Sequence, residues 1–161
     1  YGQLYNGIRL LLLGTVDTAG SGCVCPENVI LKRIINNLVL HREDVVILDM
    51  EAGLEHLARG TTSGMEQFIV VIEPGARSIQ TYRNVKRLAL ELGVKQVRVV
   101  ASKVRDEKDE QFILEKIPQE DFLGFIHYHS DIIEADRLGK SPYDCSPDLV
   151  KEVKDIVQRM K

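Results

Sequence analysis

Residues 45–53 are VVILDMEAG, and this stretch decides the predicted fold. It opens with four consecutive apolar residues, three of them β-branched, and then reaches Asp49. Such a run is typical of a strand buried on both faces of a parallel sheet. Ligands of open α/β sheets collect at the carboxyl ends of strands, so Asp49 is placed where a bound group would lie. An acid there can hold Mg²⁺ through water, and the alternative is an Asp that caps a short helix, with Gly53 in the turn.

Strands and helices are predicted to alternate along the rest of the chain. Strands are expected at residues 8–13, 45–48, 68–72, 97–101 and 122–126. Helices are expected at residues 29–40, 54–59, 78–92, 107–117, 130–138 and 146–160, the last two capped by Ser130 and Ser146. The alternation predicts an α/β fold with a doubly wound, mainly parallel sheet and right-handed connections.

Length and composition restrict the classes of protein that fit. A chain of 161 residues with 44% hydrophobic residues suits a single domain over residues 1–161. The formal net charge is −3 and charges of both signs are interspersed, so neither nucleic acid nor an anionic membrane is expected as partner. Since no apolar run is long enough to span a bilayer and no signal-peptide pattern opens the chain, a cytoplasmic protein is predicted.

Four segments together resemble one family. They are GCVCPEN at residues 22–28, ILDMEAGLEHLARG at 47–60, EPGARS at 73–78 and IIEADRLGKSP at 132–142. This combination is similar to the CooC proteins, nickel-insertion ATPases that mature carbon monoxide dehydrogenase, within the MinD and ParA group of deviant P-loop ATPases. The resemblance implies a P-loop NTPase-like, MinD-type nucleotide-binding domain, of which this chain would be the carboxyl-side portion. It also implies ATP-dependent delivery of nickel to a metalloenzyme.

The resemblance also implies roles for individual residues near a nucleotide. Asp49 would position Mg²⁺ through its water shell, with Glu51 and Gly53 on an adjoining switch that responds to the γ-phosphate. Ser102 stands where relatives usually carry an Asn that recognises adenine, and it lacks the paired donor and acceptor of that amide. Lys103 follows it.

Two further parts of the sequence are candidate binding positions, the first implied by the resemblance and the second inferred from the residues alone. Pro142 belongs to the closing loop that approaches the base. Arg77 and Ser78 open a helix after a strand, where backbone N–H groups can face an anion.

Cys23 and Cys25 match the pair that family members place as metal ligands at a two-fold dimer interface. Two cysteines one residue apart supply two thiolates, whereas a closed tetrahedral site needs four ligands. A symmetric homodimer would supply the other two, for Zn²⁺ in tetrahedral or Ni²⁺ in square-planar geometry. The alternative is a pair of incidental loop thiols. Cys145 matches nothing in the family pattern.

One departure from the family concerns the phosphate-binding loop. Members bind the triphosphate with a segment of the form Lys-Gly-Gly-x-Gly-Lys-Thr, and no such segment occurs in this sequence. The glycine-rich residues 14–22 contain no lysine and lead to the cysteines, so they do not fit a phosphate cradle. The sequence is therefore expected either to have lost an N-terminal portion or to be a reduced relative, and this chain alone is not expected to hydrolyse ATP.

Three hypotheses for function follow. The first is the ATP-dependent nickel carrier. The second is a MinD- or ParA-type partner-binding switch without a metal role, and the third is a non-catalytic metal-binding dimer.

His127 and His129 could ligate a metal by their alternate spacing, but the favoured interpretation is a pair of loop histidines near the nucleotide edge.

Overall fold

The computed structural model describes residues 3–5, 7–11, 45–49 and 66–160. Contacts within the chain divide it into two units, Tyr1–Gly64 and Met65–Lys161, which are described separately below. The helices predicted at residues 29–40 and 54–59 lie outside the described residues. The single domain over residues 1–161 stays a prediction.

In the first unit, strands β1 (Gln3–Tyr5) and β2 (Ile8–Leu10) form an antiparallel hairpin. Tyr5 pairs with Ile8, and Gly7, just before β2, has φ 83°. Glycine is favoured in tight hairpin turns because their central residues need positive φ. The strand predicted from residue 8 is thus present, but its partner in the described residues is an antiparallel neighbour.

The apolar run at residues 45–48 is not a buried strand. Residues 45–49 have no regular secondary structure, and Val45 and Ile47 are more than 80% exposed. A strand is stabilised by ladder hydrogen bonds to neighbours, and none of the described strands pairs with this run. The prediction of a buried strand here is therefore wrong, because β-branched side chains favour a strand only where a sheet receives it.

The second unit alternates strands and helices, as predicted. Its elements are β3 (Gln67–Ile72), α1 (Ala76–Glu91), β4 (Gln96–Val104), α2 (Glu107–Leu114), β5 (Phe122–His127), α3 (Ser130–Arg137), α4 (Pro142–Cys145) and α5 (Pro147–Arg159). The sheet order is β3-β4-β5, and both pairings are parallel. This arrangement confirms the predicted α/β class with a mainly parallel sheet.

Helices cover the sheet through their apolar stripes. On α1 the buried residues Ile79, Tyr82, Val85 and Ala89 recur every three or four positions, and this helix packs against β3 and β4. Helix α5 packs against β5. There Ile156 joins a cluster with Val100, Leu123 and Ile126. None of the helices in the described residues has both the length and the apolar character to span a bilayer.

The helix ends test the capping predictions. Gly93 and Gly139 have φ 82° and 62° just beyond α1 and α3, the left-handed conformation in which glycine commonly ends a helix. The Ser130 cap is wrong, since α3 begins at Ser130 itself and His129 occupies the N-cap position. Ser146 does occupy the N-cap of α5, but its hydroxyl makes no capping hydrogen bond. Helix α2 ends at Leu114, three residues before the predicted residue 117.

Candidate functional site

The carboxyl ends of the three parallel strands form one edge of the sheet in the second unit. Glu73 directly follows β3, Ser102 and Lys103 lie near the end of β4, and His127 is the last residue of β5. Parallel strands bring their carboxyl ends to the same edge, where α/β proteins bind ligands. Two of the predicted nucleotide-site residues, Ser102 and Lys103, are therefore on the expected edge.

Lys103 has an unusual backbone. Its φ is 57°, the left-handed region, at an irregularity in the β4–β5 pairing between Ala101 and Val104. For a residue with a Cβ this conformation costs about 1–2 kcal/mol, and such strain clusters at functional sites. The Nζ atom of Lys103 lies 2.6 Å from Oε1 of Glu73, so the ends of β3 and β4 are joined by an ion pair. Both side chains are more than half exposed, and the pair contributes at most about 1 kcal/mol.

The strain at Lys103 can be measured by substitution. Lys103→Gly is expected to leave the free energy of unfolding unchanged or to raise it by up to about 1 kcal/mol. Relief of the positive φ offsets both the greater conformational entropy of glycine in the unfolded chain and the loss of the weak ion pair with Glu73. The matched control Gln96→Gly, at the exposed start of the same strand, should lower it by about 1 kcal/mol. Urea unfolding of the three proteins provides the comparison. An equal loss from both substitutions would contradict the strain at Lys103.

At the end of β5, His127 is held between two helices. Its Nε2 atom lies 2.9 Å from Oε1 of Glu110 on α2, and its Nδ1 atom lies 2.7 Å from Oε1 of Glu152 on α5. The backbone N–H of His127 donates to Oε2 of Glu152 at 3.1 Å, and Nε2 of His129 lies 3.0 Å from the same oxygen. We call Glu110, His127, His129 and Glu152 the histidine–carboxylate cluster.

The cluster shifts the titration of its members. The hydrogen bond with Glu110 raises the pKa of His127, burial opposes this rise, and the hydrogen bond with Glu152 adds to it. For Glu152, burial is the largest single influence and would raise the pKa, but hydrogen bonds from His129 and His127 outweigh it and the pKa is lowered. The cluster therefore favours a charged imidazolium beside a charged carboxylate.

The metal-binding interpretation of the two histidines does not fit this geometry. Both ring nitrogens of His127 face carboxylate oxygens, which leaves no lone pair for a metal. Across residues 66–160 and the shorter described segments, no group of three or more His, Cys, Asp or Glu could hold a metal ion. The favoured alternative, a pair of loop histidines, holds for His129, which lies between β5 and α3 at the N-cap of the helix, but not for His127, which is the last residue of β5.

The remaining predicted site residues are spread along the chain. Asp49 is exposed and lies in the first unit, at the end of the described run 45–49. Pro142 is the first residue of α4, and Arg77 is an exposed second residue of α1. The other predicted site residues, Glu51, Gly53, Cys23 and Cys25, lie outside the described residues. Within the second unit, Ser102 and Lys103 are the predicted nucleotide-site residues that lie on the carboxyl edge of the sheet.

Sequence reasoning missed Glu110 and Glu152, which complete the cluster around His127. They lie 17 residues before and 25 residues after it, so no local spacing signals the contact. Beside the cluster, an open depression of about 500 Å³ lies along α3 and the residues just before it. It is lined by Tyr128, Ser130, Asp131, Ile133, Glu134 and Arg137.

Comparison with known proteins gives three informative relatives. The chain is 45% identical over 143 residues to the carbon monoxide dehydrogenase accessory protein CooC of Rhodospirillum rubrum, a match that covers 89% of this chain and 54% of that protein. Two uncharacterized ATP-binding proteins of Methanocaldococcus jannaschii are 40% and 31% identical, over 96% and 95% of this chain and 61% and 59% of theirs. The chain thus spans a little more than half the length of these relatives. No protein-family profile matches it.

Proposed function

Because this chain belongs to the CooC-related group of ATP-binding proteins, we propose that the protein acts as an ATP-dependent carrier that delivers nickel for the maturation of carbon monoxide dehydrogenase. The observation that carries this proposal is the 45% identity over 143 residues to a protein named as an accessory to that enzyme. The activity belongs to a protein with the full set of nucleotide-binding segments. A cytoplasmic location is part of the proposal.

In this proposal the predicted residues divide into three tasks. Asp49 holds Mg²⁺ through water and, with Glu51 and Gly53, changes conformation with the γ-phosphate. Ser102 and Lys103 face the base from the edge of the sheet, and Pro142 approaches the base from α4. Support for the second task comes from the strained backbone of Lys103 at the ligand-binding edge. The magnesium ion would supply charge neutralisation for the phosphates.

Nickel is the cargo, and the proposed carriers are Cys23 and Cys25. Two thiolates from each of two chains complete a four-sulfur site in a homodimer. ATP binding would favour the closed dimer, and hydrolysis would release it. Thiolates also bind Zn²⁺ tightly, so either ion can serve as a probe of the site.

The experiment that tests the proposal is the molar mass of the chain by light scattering under reducing conditions, with and without Ni²⁺ or Zn²⁺. We expect metal at about half an equivalent per chain to double the mass. The double variant Cys23→Ser/Cys25→Ser should remain monomeric, while the matched control Cys145→Ser, which changes a half-buried thiol at the end of α4, should dimerise like the unchanged chain.

The other outcomes favour the other hypotheses. A molar mass that changes neither with metal nor with the cysteine substitutions overturns the nickel-carrier proposal and favours a partner-binding switch of the MinD or ParA type. Metal-dependent dimers without binding of MgATP, measured by equilibrium dialysis on the same samples, favour a non-catalytic metal-binding dimer. Equal loss of dimer in the Cys145→Ser control would contradict a site built from Cys23 and Cys25.

A further inference from the structure

We propose that His127, hydrogen-bonded to Glu110 and Glu152, is a proton-dependent connection that holds the end of β5 to helices α2 and α5. The observation behind it is the pair of carboxylates, from two different helices, that meet the two nitrogens of one imidazole ring. This device needs neither nucleotide nor metal, so it goes beyond the proposed function. It would make the attachment of α2 to the carboxyl edge of the sheet depend on pH.

The proton requirement follows from the donors and acceptors. An ionised carboxylate only accepts hydrogen bonds, whereas a neutral imidazole has one N–H and one lone pair. With both carboxylates ionised, contacts of 2.9 Å to Glu110 and 2.7 Å to Glu152 can both be hydrogen bonds only when both ring nitrogens carry protons. Loss of one proton would leave a lone pair facing a negatively charged oxygen, and that contact would become repulsive.

The geometry also indicates which contact breaks. Glu152 holds His127 through both the ring and the backbone N–H, and it accepts from His129 as well. Glu110 holds His127 by the ring alone, and its side chain is more exposed than that of Glu152. When His127 loses one proton, Nδ1 therefore keeps its proton and still donates to Glu152, while the hydrogen bond from Nε2 to Glu110 is lost. Helix α2 is thus the helix that loses its connection to His127.

The groups that face His127 come from three elements. Glu110 faces it from α2 and Glu152 from α5, and His129 at the start of α3 shares the Glu152 carboxylate. The ring of Phe125, 6.0 Å away between centroids, contributes no titratable group. Tyr128, between the histidines, is fixed separately, because its backbone N–H donates to the carbonyl of Val104 at 2.8 Å.

The direction of the pH dependence follows from the raised pKa of His127. The folded protein binds this proton more tightly than the unfolded chain does, where a histidine has a pKa of about 6.5. The stabilisation is fully present below that value. It is lost as the pH rises through the higher pKa that His127 has in the folded protein, so α2 loosens as the pH rises through that pKa.

Two measurements on the chain without nucleotide or metal test the proposal. The first is the protonation of the His127 ring by ¹H–¹⁵N NMR, titrated from about pH 5.5 to 9. The second is amide hydrogen exchange of α2, with each rate divided by the intrinsic rate at that pH. We expect a doubly protonated ring at neutral pH, and a fall in α2 protection of about 3- to 10-fold that follows the titration of His127.

A pair of variants on one helix separates this connection from general effects of charge. Glu110→Gln should reduce α2 protection near neutral pH and weaken its pH dependence, while Glu107→Gln, an exposed neighbour on the same helix, should change neither. A singly protonated ring at neutral pH, a protection factor that ignores the titration, or equal effects from both variants would overturn the proposal. These measurements use no metal and do not depend on the molar mass of the chain. A negative result here therefore says nothing about the nickel-carrier proposal, which light scattering tests separately.

Discussion

Gly124→Ala is expected to lower the free energy of unfolding by about 1–3 kcal/mol, because the added Cβ would lie 2.8 Å from Cγ1 of Ile156. Gly124 is buried on β5 beneath α5, and Ile156 is a buried residue of that helix. Isoleucine in a helix strongly prefers one χ1 rotamer, so Cγ1 cannot turn aside cheaply. The helix must instead move away from the strand, which weakens the cluster of Val100 and Leu123 around Ile156.

A double-mutant cycle makes this test sharper. Ile156→Ala alone should cost about 2–5 kcal/mol, since it removes a buried side chain from the same cluster. It also removes the atom that the new methyl at position 124 would meet. The double variant should therefore lose at least about 1 kcal/mol less than the sum of the two single losses.

Urea unfolding followed by circular dichroism measures all members of the cycle. Gly75→Ala is the matched glycine control, because a Cβ there would meet nothing within 4 Å. It should change the free energy of unfolding by no more than about 0.5 kcal/mol. A neutral Gly124→Ala, or strict additivity in the cycle, would contradict the close approach of α5 to β5.

The second unit was largely predictable because its sequence patterns are local. The three- and four-residue spacing of Ile79, Tyr82, Val85 and Ala89 predicts α1 directly, and Gly93 marks its end. The parallel strands follow from short apolar runs that helices separate. In these elements the spacing of apolar residues within one short segment is enough to predict the secondary structure and which residues are buried.

The errors arose where distant parts of the chain decide the outcome. Val45 and Ile47 have strong β propensity, but whether they are buried depends on strands elsewhere. The favoured placement of His127 in a loop and the failure to find Glu110 and Glu152 share one cause, since these three residues meet only in the folded sheet edge. Ser130 was assigned as a cap from residue type alone, and the helix starts one residue earlier than that cap requires.

Asp121→Ala is the second substitution with a large expected effect, a loss of about 2–4 kcal/mol in the free energy of unfolding. Asp121 is a buried acid just before β5, and its carboxylate accepts from both the hydroxyl of Tyr82 and the Nζ of Lys86 on α1. Burial, followed by the hydrogen bond to Asp121, raises the pKa of Tyr82, so the phenol stays a donor at all ordinary pH values. Removal of the carboxylate leaves that buried donor without its partner.

Graded variants separate the hydrogen bond from the charge. Asp121→Asn keeps an acceptor for Tyr82 and removes the charge that Lys86 meets, so it should cost about 1–2 kcal/mol. Tyr82→Phe removes only the hydroxyl and should cost about 1 kcal/mol. The control Glu91→Gln disrupts the exposed ion pair with Arg87 on the same helix and should cost less than about 0.5 kcal/mol.

The order of these losses, measured by urea unfolding, decides how α1 is attached to the segment before β5. A larger loss for Asp121→Ala than for Asp121→Asn means that the satisfied hydroxyl, rather than the ion pair, stabilises the contact. Lys86 remains about one-third exposed and can turn to water when the charge is removed, which is why the ion pair should matter less. If Asp121→Ala costs no more than Glu91→Gln, burial of Asp121 contributes nothing to the attachment of α1, and its apolar stripe alone holds the helix on the sheet.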